Sequence, residues 1–130
     1  MKVSTPSAQF PTSFAADVFV AGCPSPTVLE HVTSKWGLLL LNALSEGEQR
    51  WSALRRRADG ISEKMLAQTL KTLERDGLVS RDAQPTIPPR VDYRLTDRGR
   101  EVSELLVPLT VWVVDNADDI LSGHDPTATR

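Results

Sequence analysis

The chain has one cysteine and only two histidines among its 130 residues. A single cysteine cannot form an internal disulfide, so we expect a protein of the reducing cytoplasm. His31 and His124 have no metal-ligand spacing to Cys23 or to a group of carboxylates. The sequence also lacks a glycine-rich loop of the kind that cradles phosphates. We therefore predict no metal, no cofactor and no enzymatic activity.

Long apolar segments are also absent. No run approaches the roughly 20 residues that a membrane-spanning helix needs, so we expect no membrane partner. Asp17 interrupts the apolar stretch near the N-terminus, which argues against a secretory signal. The length suits one domain. We expect an N-terminal arm over 1–22, one domain over 23–121 and a disordered tail over 122–130.

The chain has no overall excess of basic charge, since its formal net charge is −2. The charge is nevertheless unevenly distributed. Residues 50–94 hold ten Lys and Arg against six Asp and Glu, a formal +4, whereas the rest hold five against eleven, a formal −6. This asymmetry indicates a local surface for an anionic partner.

The basic region contains an amphipathic stretch over 60–77, GISEKMLAQTLKTLERDG. Ser62 is placed to cap a helix and Gly77 to end it. At 100° per residue, one mostly apolar face comprises Met65, Leu66, Thr69, Leu70 and Leu73. The opposite face has three cations and an amide but no carboxylate: Lys64, Gln68, Lys71 and Arg75. Lys and Gln can read base edges in the major groove of DNA. A solvated face with a chance run of cations is the alternative.

The flanking segments predict further helices from Pro24, over 34–45 and over 51–58, and a last helix from Thr96. Strands at 78–81 and 90–96 enclose the proline-rich segment QPTIPP, which indicates a two-stranded hairpin. The three tryptophans, Trp36, Trp51 and Trp112, lie at core-phase positions and are expected to pack. His31 is expected at the surface or at an interface.

Three short helices followed by a hairpin predict an α+β, mostly α fold: a winged helix-turn-helix with a two-stranded wing and a C-terminal dimerisation helix. In this geometry the helix at 60–77 enters the major groove of a double-stranded DNA operator. We expect Lys64, Gln68 and Lys71 to face bases or phosphates there. The residues expected at other DNA contacts, mainly with the backbone, are Ser52, Arg55, Arg56, Ser62 and Arg90.

The same motifs resemble the HxlR family of bacterial regulators over about residues 23–112. The resemblance rests on a combination of motifs: Cys23-Pro24, Lys35-Trp36, Arg50-Trp51, Gly60-Ile61-Ser62, Gly77-Leu78-Val79 and above all Pro88-Pro89-Arg90-Val91-Asp92-Tyr93 with Leu95-Thr96. It implies a dimeric transcription factor whose first and last helices form the dimer. The chain departs from the family at Ser34 and Gly37, where a glycine and a hydroxyl residue are commoner, and at Gln84, where an aromatic is frequent.

The last helix has an apolar face from Val102 to Val113 that exceeds what so small a domain can cover by itself, which indicates an interface. The residues expected in the homodimer are Val28, Leu105, Leu109, Trp112 and Val113. Two recognition helices related by a two-fold axis would meet half-sites about 34–36 Å apart. We therefore expect a regulator, more often a repressor than an activator, on a pseudo-palindromic operator.

Cys23 has two interpretations. It is either a small packing residue at the dimer interface or a switch that responds to oxidants or electrophiles. The resemblance supports the switch, since sensors in the family have a cysteine at this position, and the first turn of a helix stabilises a thiolate. Nearby cations are lacking, however, because Lys35 is a dozen residues away. A small-molecule effector or an oxidant is thus an expected partner.

A function of another class remains open. A winged helix can also bind a polypeptide through its recognition face. That alternative predicts little sensitivity to salt and no joint requirement for Lys64, Gln68 and Lys71.

Overall fold

The computed structural model describes residues 24–123, and their side chains from Thr27 onward. Cys23, His124, the arm over 1–22 and most of the expected tail lie outside the described residues. The elements follow in the order α1 (Pro24–Thr33), α2 (Lys35–Leu44), β1 (Gln49–Arg50), α3 (Trp51–Arg57), α4 (Glu63–Arg75), β2 (Val79–Gln84), β3 (Arg90–Leu95) and α5 (Asp97–Leu121).

Hydroxyl side chains cap three of these helices at their N-termini. The Ser62 Oγ accepts a hydrogen bond from the Met65 amide at 3.0 Å, which confirms the cap predicted for α4. Thr96 caps α5 in the same way, and its hydroxyl also donates to the Gly77 carbonyl at 2.6 Å. This second bond joins the end of α4 to the start of α5.

Ser34 and Gly37, two of the three departures from the family pattern, form a local cap for α2. The Ser34 Oγ accepts from the Gly37 amide at 3.1 Å. A Cβ on Gly37 would lie 2.1 Å from the His31 carbonyl oxygen, so a larger residue there would require the α1–α2 junction to move. The hydroxyl and the glycine have thus exchanged places relative to the usual pattern without loss of a capped helix.

The sheet has three antiparallel strands in the order β1-β3-β2, one more than the hairpin predicted from the sequence. The hairpin of β2 and β3 is the wing, paired from Val79 with Leu95 to Gln84 with Arg90. The added strand β1 is only two residues long and pairs Gln49 with Tyr93. A pair of residues shows no alternation, so the pattern could not reveal β1.

The core is built mainly from leucines of α2, α3 and α4 beneath the sheet. One expectation about burial in α4 was wrong. Met65, placed on the apolar face of α4, is 40% exposed, because the buried stripe of that helix is centred on Leu66, Leu70 and Leu73. Trp36 and Trp51 pack against the core as expected, whereas Trp112, which was also expected at the dimer interface, is 57% exposed in the single chain.

Candidate nucleic-acid interface

The helix α4 divides into a buried and an exposed face. Leu66, Leu70 and Leu73 are at most 1% exposed and hold the helix against the core. Opposite them Lys64, Gln68 and Lys71 are exposed, and none of the three has an ion pair or side-chain hydrogen bond within residues 24–123. The exposed face of α4 therefore presents two cations and one amide that form no ion pair or side-chain hydrogen bond with other described residues.

The adjoining helix α3 carries three consecutive exposed arginines with different partners. Arg55 Nη1 lies 3.1 Å from a carboxylate oxygen of Glu63, the first residue of α4. Arg57 makes a two-bond contact with Glu46, at 2.5 and 2.8 Å. Arg56 has no ion pair among the described residues. Of the arginines predicted to contact DNA, Arg55 is thus paired in the unbound protein and Arg56 is not.

The contact between Glu46 and Arg57 changes the ionisation of both groups. The hydrogen bond from Arg57 lowers the pKa of the Glu46 carboxyl below its usual value, and the same bond raises the pKa of Arg57. Both side chains are largely exposed, so the pair mainly orients Arg57 and adds little stability. Arg57 is held toward the turn after α2.

In the wing, Arg90 is positioned by a buried carboxylate. The Arg90 Nε donates to Asp92 Oδ1 at 3.0 Å, and Arg90 itself remains exposed. The alternating pattern placed Asp92 on the outer face of the strand, but it is only 5% exposed. It lies on the central strand, with Arg50 on β1 and Asp82 on β2 as its neighbours across the sheet. The third strand, which makes β3 the central strand, was not revealed by the sequence.

His31 forms a contact that sequence reasoning missed. Its Nδ1 lies 2.7 Å from Asp76 Oδ2, and both side chains are partly buried. Asp76 is the C-cap of α4, so the contact ties α1 to the C-terminal end of α4. The two residues are 45 positions apart, and no local pattern could have paired them.

The helix α5 is fastened to α2 on one side and exposes apolar residues on the other. Asn42 Nδ2 donates to Thr110 Oγ1 at 3.0 Å, and Leu106 is buried nearby. The five residues expected at a dimer interface are 43–74% exposed: Val28, Leu105, Leu109, Trp112 and Val113. A surface of this kind is typical of an interaction site.

Within the part of the chain that the structure describes, no three His, Cys, Asp or Glu side chains come together as a metal site would require. Nor does any helix there combine the length and the apolar character needed to cross a bilayer.

The profile of the HxlR-like helix-turn-helix family matches residues 31–120. The chain belongs to this family. It is a transcriptional regulator of the helix-turn-helix type and not an enzyme, as the sequence predicted. The resemblance to the HxlR family and the winged-helix fold are likewise confirmed.

Individual proteins to which this chain is similar are also transcriptional regulators. The uncharacterized HTH-type transcriptional regulator YtfH of Escherichia coli is 49% identical over 112 residues, 86% of this chain and 89% of the relative. A solved structure of YtfH from Salmonella typhimurium, described as a transcriptional regulator, has a TM-score of 0.77 at 48% identity, over 81% of this chain and 94% of the other. The redox regulator HypR in its oxidized form has a TM-score of 0.66 at 32% identity, over 72% and 97%.

Proposed function

We propose that this HxlR-type regulator binds a pseudo-palindromic DNA operator as a homodimer and represses transcription from it. The observation that supports this most is the exposed face of α4. Lys64, Gln68 and Lys71 lie opposite the buried leucines and have no ion pair or side-chain hydrogen bond among the described residues. Such side chains can bind an anion without first breaking an internal contact.

The side chains of this face divide by their chemistry. The Gln68 amide has both a donor and an acceptor, so it suits the edge of one base pair. Lysines bind phosphates or base acceptors as point charges. Around the helix, the proposed contacts with the DNA are Ser52, Arg55, Arg56, Ser62 and Arg90. The Arg90 Nε donates its hydrogen bond to Asp92, so the two outer guanidinium nitrogens of Arg90 remain available for a phosphate.

The proposed dimer uses α1 and α5. Val28 on α1 and the four exposed residues of α5 would be covered by the same residues of a second copy, as a two-fold interface requires. The His31–Asp76 contact would transmit the position of α1 to the recognition helix. Two α4 helices would then meet half-sites about 34–36 Å apart.

A signal through Cys23 is the finer part of the proposal, with packing at the dimer interface as the alternative. HypR, one of the proteins this chain is similar to, is a redox regulator. The test compares DNA affinity of the wild type and of Cys23→Ser before and after mild peroxide or a quinone. A switch predicts that only the wild type loses affinity. If both proteins keep full affinity while Cys23 is shown to be modified, Cys23 is a packing residue.

The experiment that tests the proposed function is footprinting on the DNA that flanks the protein's own gene, together with sedimentation of the free protein. We expect protection of a pseudo-palindrome whose half-sites are one helical turn apart, and a stable dimer at micromolar concentration. A stable monomer would contradict the dimer. The rival function, a winged helix that binds a polypeptide, predicts no protected site and little salt dependence.

A further inference from the structure

A cavity of ≈ 600 Å³ lies where α5 passes the end of α2 and the strand β3. Leu44, Leu95, Val107 and Pro108 provide its apolar wall. Its volume falls within the range of about 300–1,000 Å³ that is typical of small-molecule sites. None of the residues proposed for DNA or dimer contacts lines it, although Glu104 and Pro108 adjoin the proposed dimer residues Leu105 and Leu109 on α5.

One polar group in the cavity wall has no partner. Ser103 is 3% exposed, and its Oγ makes no hydrogen bond within the described residues. A serine in a helix often donates back to a carbonyl of the preceding turn, but this one does not. The Oγ has almost no accessible surface in the unbound structure. A buried hydroxyl without a partner costs free energy, and an oxygen atom of a bound molecule would satisfy it once a small local shift of the cavity wall brings the two within hydrogen-bonding distance.

The charges around the cavity favour an uncharged ligand. Arg94 and Arg100 are balanced by Glu48 and Glu104. The Arg100 guanidinium is already bonded to Asp97 and to the Leu95 carbonyl. A charged ligand would therefore lose its hydration without meeting a net opposite charge, whereas a neutral one would lose little.

We propose that this cavity binds a small uncharged molecule that has an apolar body and one hydroxyl or carbonyl oxygen at Ser103. The inference rests on the proposed function in one respect, the effect on DNA. The helix α5 carries the proposed dimer surface and β3 belongs to the wing. A ligand between α5 and β3 that binds better to a shifted arrangement of these two elements would favour that arrangement. The shift would lower the affinity for DNA.

The test uses three probes that share a naphthalene ring: naphthalenemethanol, naphthoate and naphthylmethylamine. NMR titration of the isotope-labelled full chain should show saturable shifts at the cavity residues with the alcohol, and at least about tenfold weaker binding of the two charged probes. Ser103→Ala should weaken the alcohol roughly two- to tenfold. Val107→Trp, which fills the cavity, should abolish binding, whereas Val114→Trp, two turns along the same helix, should not. Thermal unfolding checks that each variant folds.

Three results would overturn the proposed site: no saturable shifts up to about 1 mM alcohol, equal affinity for Ser103→Ala and wild type, or preference for a charged probe. This titration contains no DNA, so its failure is distinguishable from failure of the proposed function. A second titration, of DNA with protein saturated by the alcohol, should show weaker DNA binding. Unchanged DNA affinity at full occupancy would refute the regulatory effect.

Discussion

Glu63 holds Arg55 in the unbound protein, and we expect Glu63→Gln to strengthen DNA binding. The Arg55 Nη1 lies 3.1 Å from the Glu63 Oε2, and the two side chains are 51% and 64% exposed, so the pair is a solvent-exposed salt bridge. Such pairs contribute about 0.2–1 kcal/mol. If Arg55 must leave Glu63 to reach a phosphate, a symmetric dimer loses the pair twice, about 0.4–2 kcal/mol, and the substitution should tighten binding roughly two- to thirtyfold.

The assay is fluorescence anisotropy with the operator and with unrelated duplex DNA at one fixed salt concentration. Because Arg55 is assigned to the DNA backbone, the gain should be similar on both duplexes. The control is Glu74→Gln, which removes a charge from the same helix at a residue with no ion pair within 24–123. Glu63 also lies in the first turn of α4, where a carboxylate favours the helix dipole, so stability should fall by up to about 1 kcal/mol. A gain no larger than that of Glu74→Gln would refute the competition between Glu63 and DNA.

Three further predictions concern stability and assembly. Leu66→Ala should lower the free energy of unfolding by about 2–5 kcal/mol, and the neighbouring Met65→Ala should lower it by less than about 1 kcal/mol. Urea unfolding at one protein concentration measures both values. Equal losses would mean that the buried face of α4 is wrongly assigned. Trp112→Ala should weaken the dimer at least about thirtyfold in sedimentation, and the control Arg98→Ala should leave it unchanged. The contact with Arg57 lowers the pKa of Glu46, so the ion pair stabilises the fold above the usual carboxyl pKa. This contribution is lost as the pH falls through the lowered pKa. The difference in Tm between wild type and Glu46→Gln should therefore disappear in acid.

The features that the sequence predicted depend on signals within a few residues. The hydroxyl of Ser62 lies three positions before the amide that it caps, and the alternation of Val91, Tyr93 and Leu95 lies within one strand. The cation and amide face of α4 is likewise a matter of helical spacing. Such patterns determine the elements and the resemblance, and through them the fold.

The features that the sequence did not predict depend on contacts between distant segments. The strand β1 exists only because residues 49–50 pair with β3, and this pairing makes β3, with the buried Asp92, the central strand of the sheet. His31 and Asp76 meet only after α1 packs against α4. Helical spacing grouped Met65 with Leu66, but the width of the buried stripe is set by the neighbouring elements. The ion pair of Arg55 with Glu63 also joins two different helices, so the sequence pattern did not predict it.

The central claim, that the exposed face of α4 binds DNA, is tested most directly by the salt dependence of DNA binding by Lys64→Ala/Lys71→Ala. The slope of log affinity against log salt falls by about 0.9 for each DNA phosphate that the protein no longer neutralises, so in a symmetric dimer the slope should fall by about 1.8 for each lysine that binds phosphate. The control Lys35→Ala/Arg98→Ala removes two cations outside this face and should leave the slope of the wild type. We expect the double variant to bind more weakly and with a shallower slope. Unchanged affinity and slope would contradict the assignment of α4 as the DNA-binding helix.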